Sequence, residues 1–351
     1  MAARLVLVLA SIALASQAVG AAPFKPPTRL FADDQPIRIA LRGPIQAVAR
    51  MPLYSRAGRP AVLTVVSPTA ETHAILLSPR GLTRRMRETC VFPPLRIEFT
   101  ARPSPASLFE RQHRLKLTTH CRTAPGYQGH ILLEYAAYRL FNLVTPASLR
   151  VRLAAVDYAG EDGRPIISRL GFFAEDMGDA ARRNGLVEVR TTARVEPAQL
   201  DADASARAGL FEYLIGNLDW SMRAGPAGDT CCHNFKLMAA AANARSGIVP
   251  VPYDFDYSGL VNAPYALPPE GIPVGSVRER RYRGYCMHNA QALRAAAELR
   301  GKRGQMLALL AAIPQLDEGS RRNAAVFLDS FFADIATDEA VTRRLLRTCV
   351  R

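Results

Sequence analysis

The sequence predicts an α+β protein with a β-rich N-terminal lobe, residues 30–176, followed by an α-rich C-terminal lobe, residues 177–351. Three observations predict it. Short β-branched or aromatic runs bounded by Pro, Gly, Asp or Ser recur through the first half. Helical spacing of apolar residues dominates from about residue 178 onward. The composition, 49% apolar and 22% charged over 351 residues, suits a large folded core and excludes disordered, collagen-like and small disulfide-scaffold chains.

The first segment reads as an address. Arg4 precedes an apolar run at residues 5–15, and a small-residue stretch leads to a cleavage zone near Ala21, so residues 1–21 read as an export signal. The run is too short to span a bilayer, and no later stretch of about 18 uninterrupted apolar residues occurs. A secreted or periplasmic chain without a stable membrane span is expected.

Strands are expected at residues 36–41, 61–66, 73–78, 94–99 and 114–121, each short and closed by turn residues. The period then changes. Leu132, Tyr135, Ala136, Leu140 and Leu143 fall at helical spacing within residues 131–144, which predicts a tightly packed helix. Two further strands, 148–158 and 166–176, flank a turn at 159–165. In the second half, Phe211, Leu214, Ile215 and Leu218 form one apolar stripe of a helix ending at Asp219. Strand-like segments at 233–238 and 248–259 follow, then amphipathic helices over 290–313 and 324–336.

Lys and Arg number 45 against 31 Asp and Glu, a formal charge of +14 that favours anionic partners. No nucleic-acid motif or aromatic platform accompanies it, and nucleic acid is not an expected partner. Only Lys25, Lys116, Lys236 and Lys302 are lysines, so a position that keeps Lys in this arginine-rich chain stands out. In an exported chain the six cysteines are expected to be structural; Cys90 with Cys121, and Cys231 or Cys232 with Cys286, are plausible pairs among the 15 pairings that spacing leaves open. No zinc-site spacing, H-E-x-x-H helix or G-x-S-x-G elbow occurs, which argues against metallohydrolase and serine-hydrolase chemistry.

The polar residues that stand out follow apolar runs: Asp219 after a helix, Asn234 before a strand, and Asp254 and Asp256 around Phe255 after another. An acid to orient a nucleophile, with an amide oxygen and a carboxylate to hold Mg²⁺ or Mn²⁺ against phosphates, is the minimal equipment for phosphoryl transfer. Phosphates also need a cation. Lys116 lies on the last strand before the helix carrying Glu134, and a carboxylate heading the apolar row Ala137, Tyr138 and Phe141 requires a partner. Lys116 is the expected one.

The segments SPRGLTRR, PPLRIEF, RLKLTTHC, EYAAYRLFNL, RVRLAAVDY, RLGFFAED, GNLDW, HNFKL and VPYDFD, in that order, resemble the spore-coat CotH-type kinases. The resemblance implies a two-lobed, protein-kinase-like fold that uses ATP or another nucleotide with Mg²⁺ or Mn²⁺ and phosphorylates a protein or small-molecule acceptor. It implies Asp219 as catalytic base, Asn234 and Asp254 or Asp256 as metal ligands, Lys116 with Glu134 as the phosphate-binding ion pair, and Glu175 with Asp176 near the hinge. The chain departs from the common pattern. Asn234 follows Asp219 only after an insertion, leaving Asn217 as the alternative ligand, and no G-x-G-x-x-G loop occurs. Arg80, Arg84, Arg85 and Arg87 around Gly81 stand in its place as phosphate contacts, with a solvated face as the plainer reading. A catalytically inactive binding module of the cell envelope is the alternative function.

Overall fold

The computed structural model describes residues 24–226 and 230–351; the expected export signal lies outside the described residues. The first half contains β1 (Ile37–Arg42), α1 (Ile45–Ala49), β2 (Arg59–Ser67), β3 (Glu71–Pro79), β4 (Leu95–Phe99), β5 (Arg114–Thr118), α2 (Tyr127–Val144), β6 (Val151–Ala159) and β7 (Pro165–Ala174). The seven strands close into a barrel in the order β1-β2-β3-β4-β5-β7-β6. Neighbours are antiparallel except at the closure, where Ile37–Arg42 run parallel to Ala154–Ala159. Alternation explains it. Ile37, Ile39 and Leu41, like Leu95, Ile97 and Phe99, point inward to a core shared with Leu63, Leu115 and Phe173, while the residues between them face outward. Gly171 lets the end of β5 pack close against β7, because a Cβ there would sit 2.5 Å from the Thr118 carbonyl oxygen.

The second half contains α3 (Met177–Arg183), β8 (Val187–Val189), α4 (Ala202–Ile215), β9 (Phe235–Ala239), β10 (Val249–Pro252), α5 (Asn289–Ala311), α6 (Glu318–Asp334) and α7 (Asp338–Arg344). β8, β9 and β10 form a small antiparallel sheet.

The barrel corrects the expected two-lobed, protein-kinase-like fold. With β1 bonded to both β2 and β6, the N-terminal strands form a closed wall and not the open sheet of a separate lobe. The packing agrees. One apolar core joins Leu132, Leu140, Leu153 and Phe172 to Phe211, Leu214, Leu299 and Phe331, and so runs straight across residue 176. The α4 expectation also changes: Ser205–Ala206 and Ala208–Ile215 are buried, so the helix is enclosed on every side and shows no single stripe, and Leu218 and Asp219 lie beyond its end.

Cys90 bonds to Cys121, as expected, and ties the segment after β3 to the end of β5. The other expected pairing is corrected: Cys231 bonds to its neighbour Cys232, and Cys286 bonds to Cys349. Tyr285 and Val350 form a parallel bridge beside this last bond, which places the two cysteines side by side. No helix among the described residues is long and apolar enough to cross a membrane.

Candidate functional site

Asp219 is placed by the end of α4. Gly216 caps the helix at φ 65°, where a side chain would press on Phe327 at 2.9 Å. Asn217 then folds the chain back, its Oδ1 accepting from the Asp219 amide at 3.1 Å and its carbonyl accepting from the Trp220 indole at 3.0 Å. Asn217 is thus buried in a turn and is not placed as a metal ligand.

The insertion after Asp219 returns to it. Ser221 bridges to His233, and this brings Asn234 back beside Asp219 across 15 positions. Asn234 Nδ2 donates to Asp219 Oδ2 at 3.0 Å and to its carbonyl at 2.7 Å, and His233 Nε2 lies 2.7 Å from Oδ1. The hydrogen bond to Asp219, and then its charge, raise the His233 pKa above its ordinary value despite opposing burial. Both Asp219 oxygens are held from one side.

β9 and β10 pair Phe235 with Pro252, and the Tyr253 amide donates to the Asn234 carbonyl at 3.0 Å, so Asp254 follows opposite Asn234. Asp254 takes the left-handed φ of 63° and its amide donates to the Tyr138 hydroxyl at 2.9 Å. Its side chain, 38% exposed, faces the cleft, whereas Asp256 turns inward and accepts from the Tyr265 hydroxyl at 2.9 Å.

Arg84 organises the carboxylates. Its guanidinium donates Nη1 to Glu134 Oε2 at 2.9 Å and Nη2 to Glu134 Oε1 at 3.1 Å, reaches Asp254 Oδ1 at 3.1 Å, and lies 3.2 Å from Asp256 Oδ2 through Nε. Burial opposes its charge, but Asp256 and Glu134 outweigh that and hold its pKa well above the ordinary value. The acids respond in the opposite sense: burial raises Glu134 and pushes Asp256 up to about 7.

Glu134, Asp254 and Asp256 each bring one oxygen within 4.8 Å of the others, a set able to hold a metal ion. Arg84 already bonds each of the three, so an ion here would share their oxygens with its guanidinium.

A cleft of about 670 Å³ gathers Arg84, Asp219, Asn234, Asp254 and Asp256, with Arg80 and Lys236 also lining it and Glu134 buried against Arg84. Two expected residues lie elsewhere. Lys116 does not meet Glu134, which Arg84 occupies; its ammonium sits 6.0 Å from the Tyr253 ring centre in an adjoining groove. Glu175 is fully buried against Arg183 at 2.9 and 3.2 Å and the Arg150 amide at 2.9 Å, while Asp176 caps α3. In the arginine cluster, Arg84 and Arg85 are buried and not solvated, and Arg85 donates to the Pro52 carbonyl at 2.5 Å.

Sequence reasoning missed His233 and Tyr265 as members of the site. His233 carried one signal, its position next to Asn234; Tyr265 carried none. No protein-family model matches the chain, and no curated protein matches it.

Proposed function

We propose that the cleft catalyses divalent-metal-dependent phosphoryl transfer from ATP or another nucleotide to a hydroxyl of a protein or small acceptor, in a secreted or periplasmic protein. One observation carries the reading: Asp219, Asn234 and Asp254 share a cleft with Arg80 and Lys236, so oxygen ligands for a metal and cations for phosphates line one space.

Asp219, held by His233 and Asn234, accepts the proton of the acceptor hydroxyl. The acceptor oxygen bonds to the γ-phosphorus as the bond to the β,γ-bridging oxygen breaks, and the nucleoside diphosphate leaves. Arg80 and Lys236 receive phosphate oxygens. Asp254 supplies the oxygen most open to the cleft, with Asp256 and Glu134 behind it, and Asn234, held by Asp219 through Nδ2, lines the same space. Bound Mg²⁺ or Mn²⁺ would neutralise charge on the phosphates. The resemblance of GNLDW, HNFKL and VPYDFD to spore-coat kinases supports this chemistry independently of the fold.

A second reading is an inactive nucleotide-free binding module, favoured by Arg84, which already bonds three of the carboxylates. Thermal unfolding of the oxidised protein with ATP and Mg²⁺ or Mn²⁺ separates the two. Stabilisation that requires both nucleotide and metal, and disappears in Asp254→Ala, supports transfer; no stabilisation leaves the binding module. The disulfides and the lack of a membrane-crossing helix among the described residues are compatible with an exported protein.

A further inference from the structure

β4 and β5 set Arg96 directly opposite Lys116, and Lys116 lies directly opposite Ala174 of β7. Leu95, Ile97, Leu115 and Leu117 fill the barrel, so Arg96 and Lys116 leave it on the outer face, and Arg114, two residues before Lys116, shares that face. Like charges facing each other across adjacent strands destabilise a sheet. Lys236 of β9 approaches from the small sheet: the Lys116 and Lys236 ammonium groups lie 6.0 and 5.5 Å from the same Tyr253 ring centre. A groove of about 280 Å³ runs among these four cations and Arg190, and meets the larger cleft at Thr230 and Lys236.

The local acids do not balance them. Asp176 and Glu188 also line the groove, but the Asp176 side chain caps α3, Glu188 lies 2.9 Å from Arg190, and Glu98 lies 3.6 Å from Arg114. Among the described residues, no carboxylate forms an ion pair with Arg96, Lys116 or Lys236, and the buried Nε of neighbouring Arg80 has no hydrogen-bond partner. Burial, then the charges of Arg80 and Lys236, push Lys116 down to about 8 against the smaller opposing pull of Asp176 and Asp254. Cations held together this way are relieved by an anion with several acceptor oxygens.

We propose that this groove is an anion site that binds a compact multivalent phosphate group directly on Lys116, Arg96 and Lys236, without a divalent cation. The proposal shares Lys236 with the transfer cleft but does not rest on that reading, because Lys116 and Arg96 line only the smaller groove. The same chemistry is offered by the phosphates of a nucleotide and by a separate phosphate-bearing ligand.

Calorimetric titration of the oxidised full chain with inorganic pyrophosphate in EDTA tests it. Saturable binding is expected, weakened at least tenfold in Lys116→Met and unchanged in Arg164→Gln, an exposed cation of the β6–β7 turn outside the groove; Lys236→Gln provides an independent variant should Lys116→Met misfold. Repeating the titration with ATP present identifies the source. Competition assigns the groove to nucleotide phosphates, and undiminished binding assigns it to a second phosphate-bearing ligand; both keep the anion site. Absence of pyrophosphate binding in EDTA, or equal affinity in the wild type and the folded lysine variants, overturns it. Failure of metal-dependent nucleotide binding alone removes the transfer reading and leaves this site standing.

Discussion

Arg84 and Glu134 form a two-bonded ion pair, at 2.9 and 3.1 Å, in the position where the order of the chain suggested Lys116 and Glu134. Both partners are buried, so neither charge can be answered by water. The planar fork of arginine also spans Asp254 and Asp256, which a single lysine ammonium could not match in geometry.

Removing that guanidinium strands three acids. Arg84→Met is expected to lose about 3–5 kcal/mol of stability at pH 7, the usual cost of breaking a buried pair from one side. The loss should shrink at pH 5, where the abandoned carboxyls take up protons. Urea unfolding at the two pH values checks this; an unchanged midpoint at pH 7 counts against the hub.

Asp256 gives a second pH signature. Its folded-state pKa is raised from 3.8 to about 7 by burial, so its contribution to stability is fully present below the unfolded value and is lost as pH rises through about 7. Asp256→Asn removes a proton that the wild type must release, and the difference in stability between the two proteins should change across pH 4 to about 7 and level off beyond. Parallel stability curves would contradict the raised value.

The histidines should separate by NMR titration. Asp219 raises His233, so its imidazolium persists to higher pH than in a free histidine, whereas burial holds His120 down near 4 and neutral through the neutral range. Asp219→Asn is expected to lower His233 alone.

For the chemistry, Asp219→Asn should preserve metal-dependent nucleotide binding yet slow transfer by about 10²–10⁴-fold, the range for losing a general base. Radiolabel transfer measured beside thermal shift makes the comparison. Equal transfer rates would remove Asp219 from the base role.

The Cys286–Cys349 bond spans 63 positions and fastens α7 and the C-terminus beside the start of α5. The double Ser variant is expected to lose about 2–5 kcal/mol, read from denaturant midpoints in oxidising buffer.

Much of the local structure was legible. The run Arg114–Thr118, the helix around Glu134 and the hairpin of β6 and β7 each carry a period that states the element directly. So did the members of the cleft: Asp219, Asn234, Asp254 and Asp256 all stand at element ends, where side chains project. Barrel closure was not legible, because alternation tells which face of β1 is buried but not that β6 is its parallel neighbour.

By itself the sequence determined most of the elements, the arginine-rich charge and the acids that line the cleft. Only the tertiary structure decided the partners: Arg84 for Glu134 across 50 positions and for Asp254 across 170, Cys349 for Cys286, and Lys116 left facing Arg96 and Lys236. The reason is physical. Periodicity is a property of neighbours along the chain, whereas the pairing of a buried charge is fixed by which donor the collapsed core brings within about 3 Å, and that distance is set by every element packed between them.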